Sequence, residues 1–265
     1  MFQAVIGLRC DITGSHYQFT ALCAEANHMK VSPGSDNPRI SLIIPAYNEE
    51  AYLPKLLDSV DKARLHYGLG QEAVEVIVAD NASTDRTGAL ALSRGCHVAR
   101  VDKRAIAAAR NGGAREAQGA IFAFVDADSE VHPDTFNAIE KAMSSDRYIA
   151  GATGVRLERI SIGIAVAYAI MAPLAWLMGM DTGVVFCRKE DYEAVGGYNE
   201  NRLYAEDVEF LYALKRLGRR RGQRLARLKG VKAITSTRKW DKHGEWHYLK
   251  LICVALWALT FRRGA

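Results

Sequence analysis

Two short acidic sets carry most of the chemical content of this sequence. Asp126-Ala127-Asp128 follows directly on the apolar run Ile121-Phe122-Ala123-Phe124-Val125. Two carboxylates two residues apart at a strand end, where extended geometry breaks down, can both reach one polar cleft. They suit a hard divalent cation such as Mg²⁺ or Mn²⁺, which takes oxygen ligands and keeps positions open for phosphate. Glu130, two residues further on, is a candidate to complete that shell. The plain alternative is a loop with two solvated acids. The second set is Glu206-Asp207 within Tyr204-Ala205-Glu206-Asp207-Val208-Glu209-Phe210. It reads either as acids favoured by the macrodipole in the first turn of a helix or as an interacting carboxyl pair with coupled titrations.

The elements that must position these acids follow from periodicity. Ile40-Ser41-Leu42-Ile43-Ile44 is a short apolar run stopped by Pro45, hence a buried strand, and Leu53, Leu56, Leu57 and Val60 then recur at helical spacing. Val74–Ala79, His97–Val101 and Ile121–Val125 read as three further strands. Between them lie a short helix started within Ser83-Thr84-Asp85 and an alanine-rich helix over Ala105–Gln118, weakened by Gly112-Gly113. Pro133 suits the first turn of the next helix. Four strand–helix alternations at this spacing predict a mostly parallel sheet with helices on both faces. Ligands of such sheets bind outside the carboxyl ends of the strands. Tyr47-Asn48-Glu49, Asp80-Asn81 and Asp126 with Asp128 all stand there, so they are expected to converge on one cleft.

Composition narrows the class. Hydrophobic residues are 49% and charged residues 25% of 265, which excludes wholesale disorder, collagen, coiled coil and a polytopic membrane protein. Cys10, Cys23, Cys96, Cys187 and Cys253 form no Cys-x-x-Cys pair, the usage of a reduced compartment. No secretory signal is visible, so a cytoplasmic location is expected, with peripheral contact at the inner face of a membrane as an extension of it. Residues 1–38 read as a loosely ordered extension ending in linker composition, with Met29 as an alternative start. Residues 39–248 read as the main domain, divided at 130 into a nucleotide-binding and an acceptor half, and 249–265 as an apolar and basic tail.

Two stretches of the second half bear on partners. Ile160–Met180 is 21 residues without a charge but of modest hydrophobicity, and reads as a buried helix, a membrane-surface helix or, least, a span. From Leu211 to Trp240 there are eleven Lys or Arg and no acids. That is either a solvated helix end and strand or a contact for anionic lipid head groups. With a net charge of only +5 and no accompanying motif, no nucleic-acid partner is expected.

These pieces, in order, resemble the inverting glycosyltransferases of family 2. The resemblance runs from Pro38 to Trp246, through Ser41–Glu50, Val76–Asp85, Ala109-Arg110-Asn111, Phe124–Asp128, Thr182–Arg188, Val195–Tyr198 and the Glu206-Asp207 pair. Glu206–Glu209 followed by Thr235–Gly244 is similar to a small bacterial subgroup known as selenodomain-associated transferases. The uncharged stretch after Arg159 is more apolar than that subgroup's pattern. The family implies the GT-A nucleotide-sugar fold and a hexosyl transfer. The donor is a nucleotide-diphosphate sugar, UDP- or GDP-linked, and the acceptor a hydroxyl on a saccharide or a lipid. It assigns Asp128 to the metal, and Asp126 to the ribose or the metal shell. It makes Asp207 the base and leaves Glu206 to orient the loop or acceptor. Pro45, Ala46, Tyr47, Glu49 and Ala127 would line the nucleoside pocket, Asp80 would accept from the base, and Arg110 would lie near the diphosphate or the cleft carboxylates. Apart from the resemblance, Arg238–Gly244 brings Arg, Lys, Trp, Lys and His close together, a segment that could close over the diphosphate with His243 as a third metal ligand or a phosphate donor. The rival readings are a nucleotidyltransferase on a related fold and a non-catalytic nucleotide-sugar or membrane-binding module.

Overall fold

A computed structural model describes residues 37–166, 169, 182–201, 206–238 and 244. Its first strand, β1 (Ile40–Ala46), is buried along its whole length, as a central strand covered on both faces must be. Pro45 does not stop it. The pairing of β1 with β4 (Ile121–Phe124) ends at Ile43, so the missing Pro45 N–H costs no ladder bond on that side. On its other side β1 pairs with β2 (Val74–Asp80) through to Ala46, and β2 pairs with β3 (His97–Arg100), all in parallel.

The connecting helices decide where the cleft opens. Helix α1 (Leu53–Leu65) follows β1 and α2 (Thr87–Ser93) follows β2. Both pack on the face that carries Ile40, Leu42, Ile44, Val76 and Val78. Helix α3 (Ile106–Glu116) crosses from β3 to β4 on the opposite face, against Ile43, Ile77, Phe122 and Phe124. Strand order therefore reverses between β1 and β4, and a crevice forms at their carboxyl ends. The glycines of α3 lower its intrinsic propensity, yet they are what lets it lie close. A Cβ on Gly113 would come within 2.5 Å of the Ile43 side chain. That close approach carries Arg110 to the crevice.

The second half extends the sheet differently from the first. Beyond β4, β8 (Val185–Arg188) and β6 (Tyr148–Ala152) add antiparallel to each other, and β9 (Arg224–Arg227) closes the edge parallel to β6. Helix α4 (Thr135–Met143) covers the α1 face. It starts after Pro133, with Asp134 at its N-cap, so the proline stands just outside it. Helices α5 (Lys189–Val195) and α6 (Glu206–Arg220) cover the α3 face, where Tyr192, Phe210, Leu211 and Leu214 meet Phe122 and Phe124. A second sheet of three short strands, β5 (Ser129–Glu130), β10 (Ala233–Thr235) and β7 (Val155–Leu157), sits beside the acidic tripeptide.

Of the stretch from Ile160, residues 162–166 are helical, with Ile160 and Ile162 73% and 78% exposed. The uncharged run from 170 to 180 lies outside the described residues, as do 1–36 and the 249–265 tail. Among the described residues no helix is long and apolar enough to cross a membrane.

Candidate active site

The loops after β1 and β2 lock onto each other. Asn48 N–H donates to Ser83 Oγ (3.1 Å) and Thr84 N–H to Asn48 Oδ1 (2.8 Å). Glu50 binds both the backbone and the side chain of Arg86. Asn48 and Ala82 both adopt positive φ, 54° and 57°. For Ala82 this is an unfavourable left-handed conformation that the surrounding bonds impose.

A hollow of 400 Å³ opens between these loops and the start of α3, lined by Pro45, Ala46, Tyr47 and Glu49 together with Asn81, Arg104, Ile106 and Ala109. Four of the residues expected to line a nucleoside pocket thus meet in one place. Tyr47 is 42% exposed with the Arg104 guanidinium 4.6 Å from its ring centroid, so one ring face is already stacked. Asn81 is buried at the back and donates to the carbonyls of Val101 (3.0 Å) and Lys103 (2.6 Å). Asp80 is placed differently from its expected partners. It accepts from Ser83 N–H (3.0 Å) and faces the neighbouring hollow with Asp85, Arg100 and Asp102. Ala127 is buried in the core beneath the acidic loop and lines neither hollow.

Asp126 and Asp128 diverge onto two arginines. Arg110 Nη2 donates to Asp126 Oδ1 (2.8 Å) and Nη1 to Glu206 Oε1 (2.8 Å), while Nη1 also lies 2.7 Å from Asp207 Oδ1. That last approach lacks hydrogen-bond alignment, so the Asp207 oxygen gains charge without a bond. The Arg110 side chain is 4% exposed. Burial works against its charge, but Asp207 and Asp126 outweigh it and raise its pKa further, so the guanidinium stays charged. Of the two surroundings expected for Arg110, the structure realises the carboxylates. Its terminal nitrogens are taken by three acids.

Asp207 is the acid that this arrangement brings toward neutrality. Its pKa is raised to about 6, chiefly by burial; Arg110 works the other way, and Asp126 and Glu206 add to the rise. Its side chain remains 25% exposed, whereas Glu206 is 12% exposed and committed to Arg110. A carboxyl group near neutrality with an open side can accept a proton from an approaching hydroxyl.

On the other side of the tripeptide stands Arg238, three residues past β10. Its terminal nitrogens clamp both oxygens of Glu49 (2.7 and 2.5 Å), and Nε donates to Asp128 Oδ2 (2.9 Å). The antiparallel β5–β10 pair and the bond from Ser236 N–H to the Asp128 carbonyl (3.1 Å) fix this approach. Burial pushes the Glu49 carboxyl up, against Arg238, with Asp128 and Asp126 reinforcing the rise.

The residues fit a divalent cation in kind. Asp126 and Asp128 each keep one carboxylate oxygen with no partner among the described residues. Glu49, Asp126, Asp128, Glu206 and Asp207 face two arginines, a net of −3 when all are ionised. Among the described residues, however, no three potential ligands are gathered for a metal. Glu130 pairs with Lys55 at 2.9 Å. His243 lies outside the described residues.

Three participants were given no role of their own from the sequence, although Arg238 opens the segment expected to close over the diphosphate. Asn111 donates to the Tyr198 carbonyl (2.8 Å) and accepts from Tyr198 N–H (2.9 Å) and Tyr192 OH (2.6 Å), holding the loop whose Tyr198 ring lies 5.1 Å from the Arg110 guanidinium. Arg104 and Arg238 are the others. Each lay in a basic stretch where charge alone does not single out one residue. Part of the basic stretch is spoken for: Arg221 binds the buried Asp191 at 2.6 Å and Arg224 lies over Tyr148.

Residues 41–161 match the model of glycosyl transferase family 2. The uncharacterised glycosyltransferase EpsJ of Bacillus subtilis is 28% identical over 120 residues, which are 43% of this chain and 33% of that protein, so the match spans about a third of the relative's length. Among solved structures, a mannosyltransferase of Pyrobaculum calidifontis in complex with GDP-mannose and Mn²⁺ superposes with a TM-score of 0.60 at 21% identity, over 75% of this chain and 56% of that one. Glucosyl-3-phosphoglycerate synthase of Mycobacterium tuberculosis, solved with Mn²⁺, UDP and its product, gives 0.56 at 21% identity, over 78% and 75%. The chain has the GT-A fold of these structures, a mostly parallel α/β sheet with helices on both faces.

Proposed function

We propose that this chain is a family 2 glycosyltransferase. It moves a hexose from a UDP- or GDP-linked donor to a hydroxyl of a saccharide or lipid-linked acceptor, with inversion. One observation carries the reading. At the strand-order reversal, Arg110 joins Asp126 of the donor side to Glu206 and Asp207 of the second acidic pair, so both sets face one cleft. The complexes of the two structural neighbours, one with GDP-mannose and one with UDP, both with Mn²⁺, support a nucleotide donor and a metal.

The nucleoside would enter the hollow behind Tyr47, whose ring and the Arg104 plane offer a stacking surface. Pro45, Ala46 and Glu49 would form its wall and Asn81 would bound its far end, while Asp80 would reach the base only from the neighbouring hollow. Asp126 and Asp128 would hold Mg²⁺ or Mn²⁺, with His243 as a candidate third ligand. When bound, that cation would offset the charge that grows on the departing diphosphate. Asp207 would take the proton of the acceptor hydroxyl as the oxygen attacks the anomeric carbon. Its raised pKa makes it a stronger base than an ordinary carboxylate. A single displacement from the side opposite the diphosphate inverts that carbon. Arg110 would act through these acids as a positioning residue, and Glu206 would hold Arg110 in turn.

Incubation with a panel of UDP- and GDP-sugars and soluble acceptors, followed by chromatography of the nucleotide product, tests the reading. The expected product is a nucleoside diphosphate, with an inverted linkage by NMR. Pyrophosphate release would instead mark a nucleotidyltransferase.

A further inference from the structure

Arg238 occupies ground that a cation would be expected to hold. Two acids of the cleft, Glu49 and Asp128, have side chains only 11% and 7% exposed. Carboxylates so enclosed need a positive partner. Arg238 supplies it with three nitrogens at once, two on Glu49 and one on Asp128, while its plane lies 4.5 Å from the Tyr52 ring centroid. The two attachments differ in kind. Glu49 is gripped by a bidentate fork, the stronger arrangement, and Asp128 by the single Nε–H. Arg238 itself is 29% exposed, at the mouth of the cleft.

We propose that Arg238 is the resting counter-cation of the donor site, and that it couples the binding of a divalent metal to the binding of a nucleoside diphosphate. This rests on the reading of Asp128 as a metal carboxylate. In the nucleotide-free chain the Arg238 guanidinium, bonded to Asp128 Oδ2, opposes a second cation on the same carboxylate, so a metal alone binds poorly. When metal takes Asp128, the fork on Glu49 and the Tyr52 ring keep the guanidinium in place with its Nε–H released. A diphosphate oxygen is the acceptor that restores the lost bond. Each ligand thus removes a penalty on the other, and the coupling is reciprocal.

The test measures Mn²⁺ affinity from the EPR signal of free Mn²⁺, with and without GDP or UDP, in the full chain, Arg238→Met and Arg238→Lys. The expected result is that Arg238→Met binds Mn²⁺ alone about tenfold tighter than the parent and gains far less from the nucleotide. Arg238→Lys, which keeps the charge without the fork, falls between them and serves as the readout if the methionine variant does not fold. Equal or weaker binding of Mn²⁺ alone by the folded variants, with the nucleotide gain intact, overturns the inference and leaves the metal site standing. If nucleotide brings no Mn²⁺ to the parent chain that Asp128→Asn abolishes, the metal-site reading fails and takes this inference with it.

Discussion

Arg110 and Arg238 hold the same acidic tripeptide from opposite sides, and they do so under opposite conditions. Arg110 rises from a helix pressed onto the sheet, is 4% exposed, and serves three acids. Arg238 comes from the residues after a three-residue strand, is 29% exposed, and serves two acids and an aromatic ring. A guanidinium enclosed by acids cannot leave without stranding charge in a region of low dielectric. One at the rim can exchange a partner for an incoming ligand. The difference separates a fixed frame around Asp207, the proposed base, from a contact at the rim that is proposed to answer to the donor.

The largest effect expected on the fixed side is chemical. Asp207→Asn should lower kcat about 10²- to 10⁴-fold while nucleotide affinity, measured by calorimetry, stays near that of the parent. Comparable losses of both would mean that Asp207 belongs to the donor site and not to the acceptor side.

Stability should then divide the two arginines. Arg110→Met leaves three acids with no buried cation and should cost about 3–5 kcal/mol in urea denaturation. Arg238→Met should cost less, about 1–3 kcal/mol, because Arg238 itself stands at the rim although Glu49 and Asp128 are enclosed. Equal costs would erase the distinction drawn between them.

A smaller effect concerns pH. The proposed base must be ionised to act, and the Asp207 pKa is raised to about 6, so kcat/KM should climb with pH through a limb near that value and level above it. Asp126 is one of the charges that raise it. Asp126→Asn should therefore shift the Asp207 titration, followed by carboxyl NMR, to lower pH. Arg238→Met should leave it in place. The smallest effect is expected at Ala82, whose φ of 57° suits glycine. Ala82→Gly should stabilise the chain by about 0.5 kcal/mol, because relief of the left-handed strain slightly exceeds the added freedom of the unfolded chain.

How much of this was legible in the sequence follows the same division. Strands β1, β2 and β4 are largely apolar, and the sequence located these and the more polar β3 within a residue or two. The acids at their ends fell where a parallel sheet puts its ligands. Gly112-Gly113 looked like a weakness of α3. The close approach to Ile43 that they permit is a tertiary fact no propensity scale carries. Strands β6 to β10 are three to five residues long and pair across long separations, so period gave no purchase on them. Arg238 owes its place to the β5–β10 pairing, and Asn111 to a loop 87 residues away. Asn111 was therefore invisible as a site residue until the chain was folded, and of Arg238 only its segment was legible, not its grip on Glu49 and Asp128. The chemistry and spacing of Glu130 were legible, but its pairing with Lys55 was not.

The central claim is that the crevice between β1 and β4 is a metal-assisted nucleotide-sugar site. Calorimetric titration of UDP and GDP into the full chain, with and without Mn²⁺, and into Asp128→Asn, tests it most directly. One of the two nucleotides should bind in the presence of Mn²⁺, lose at least about tenfold in affinity without it, and lose the metal effect in the Asp128→Asn variant. A folded chain that binds neither nucleotide, or binds one with the same affinity regardless of metal and of Asp128, would contradict it.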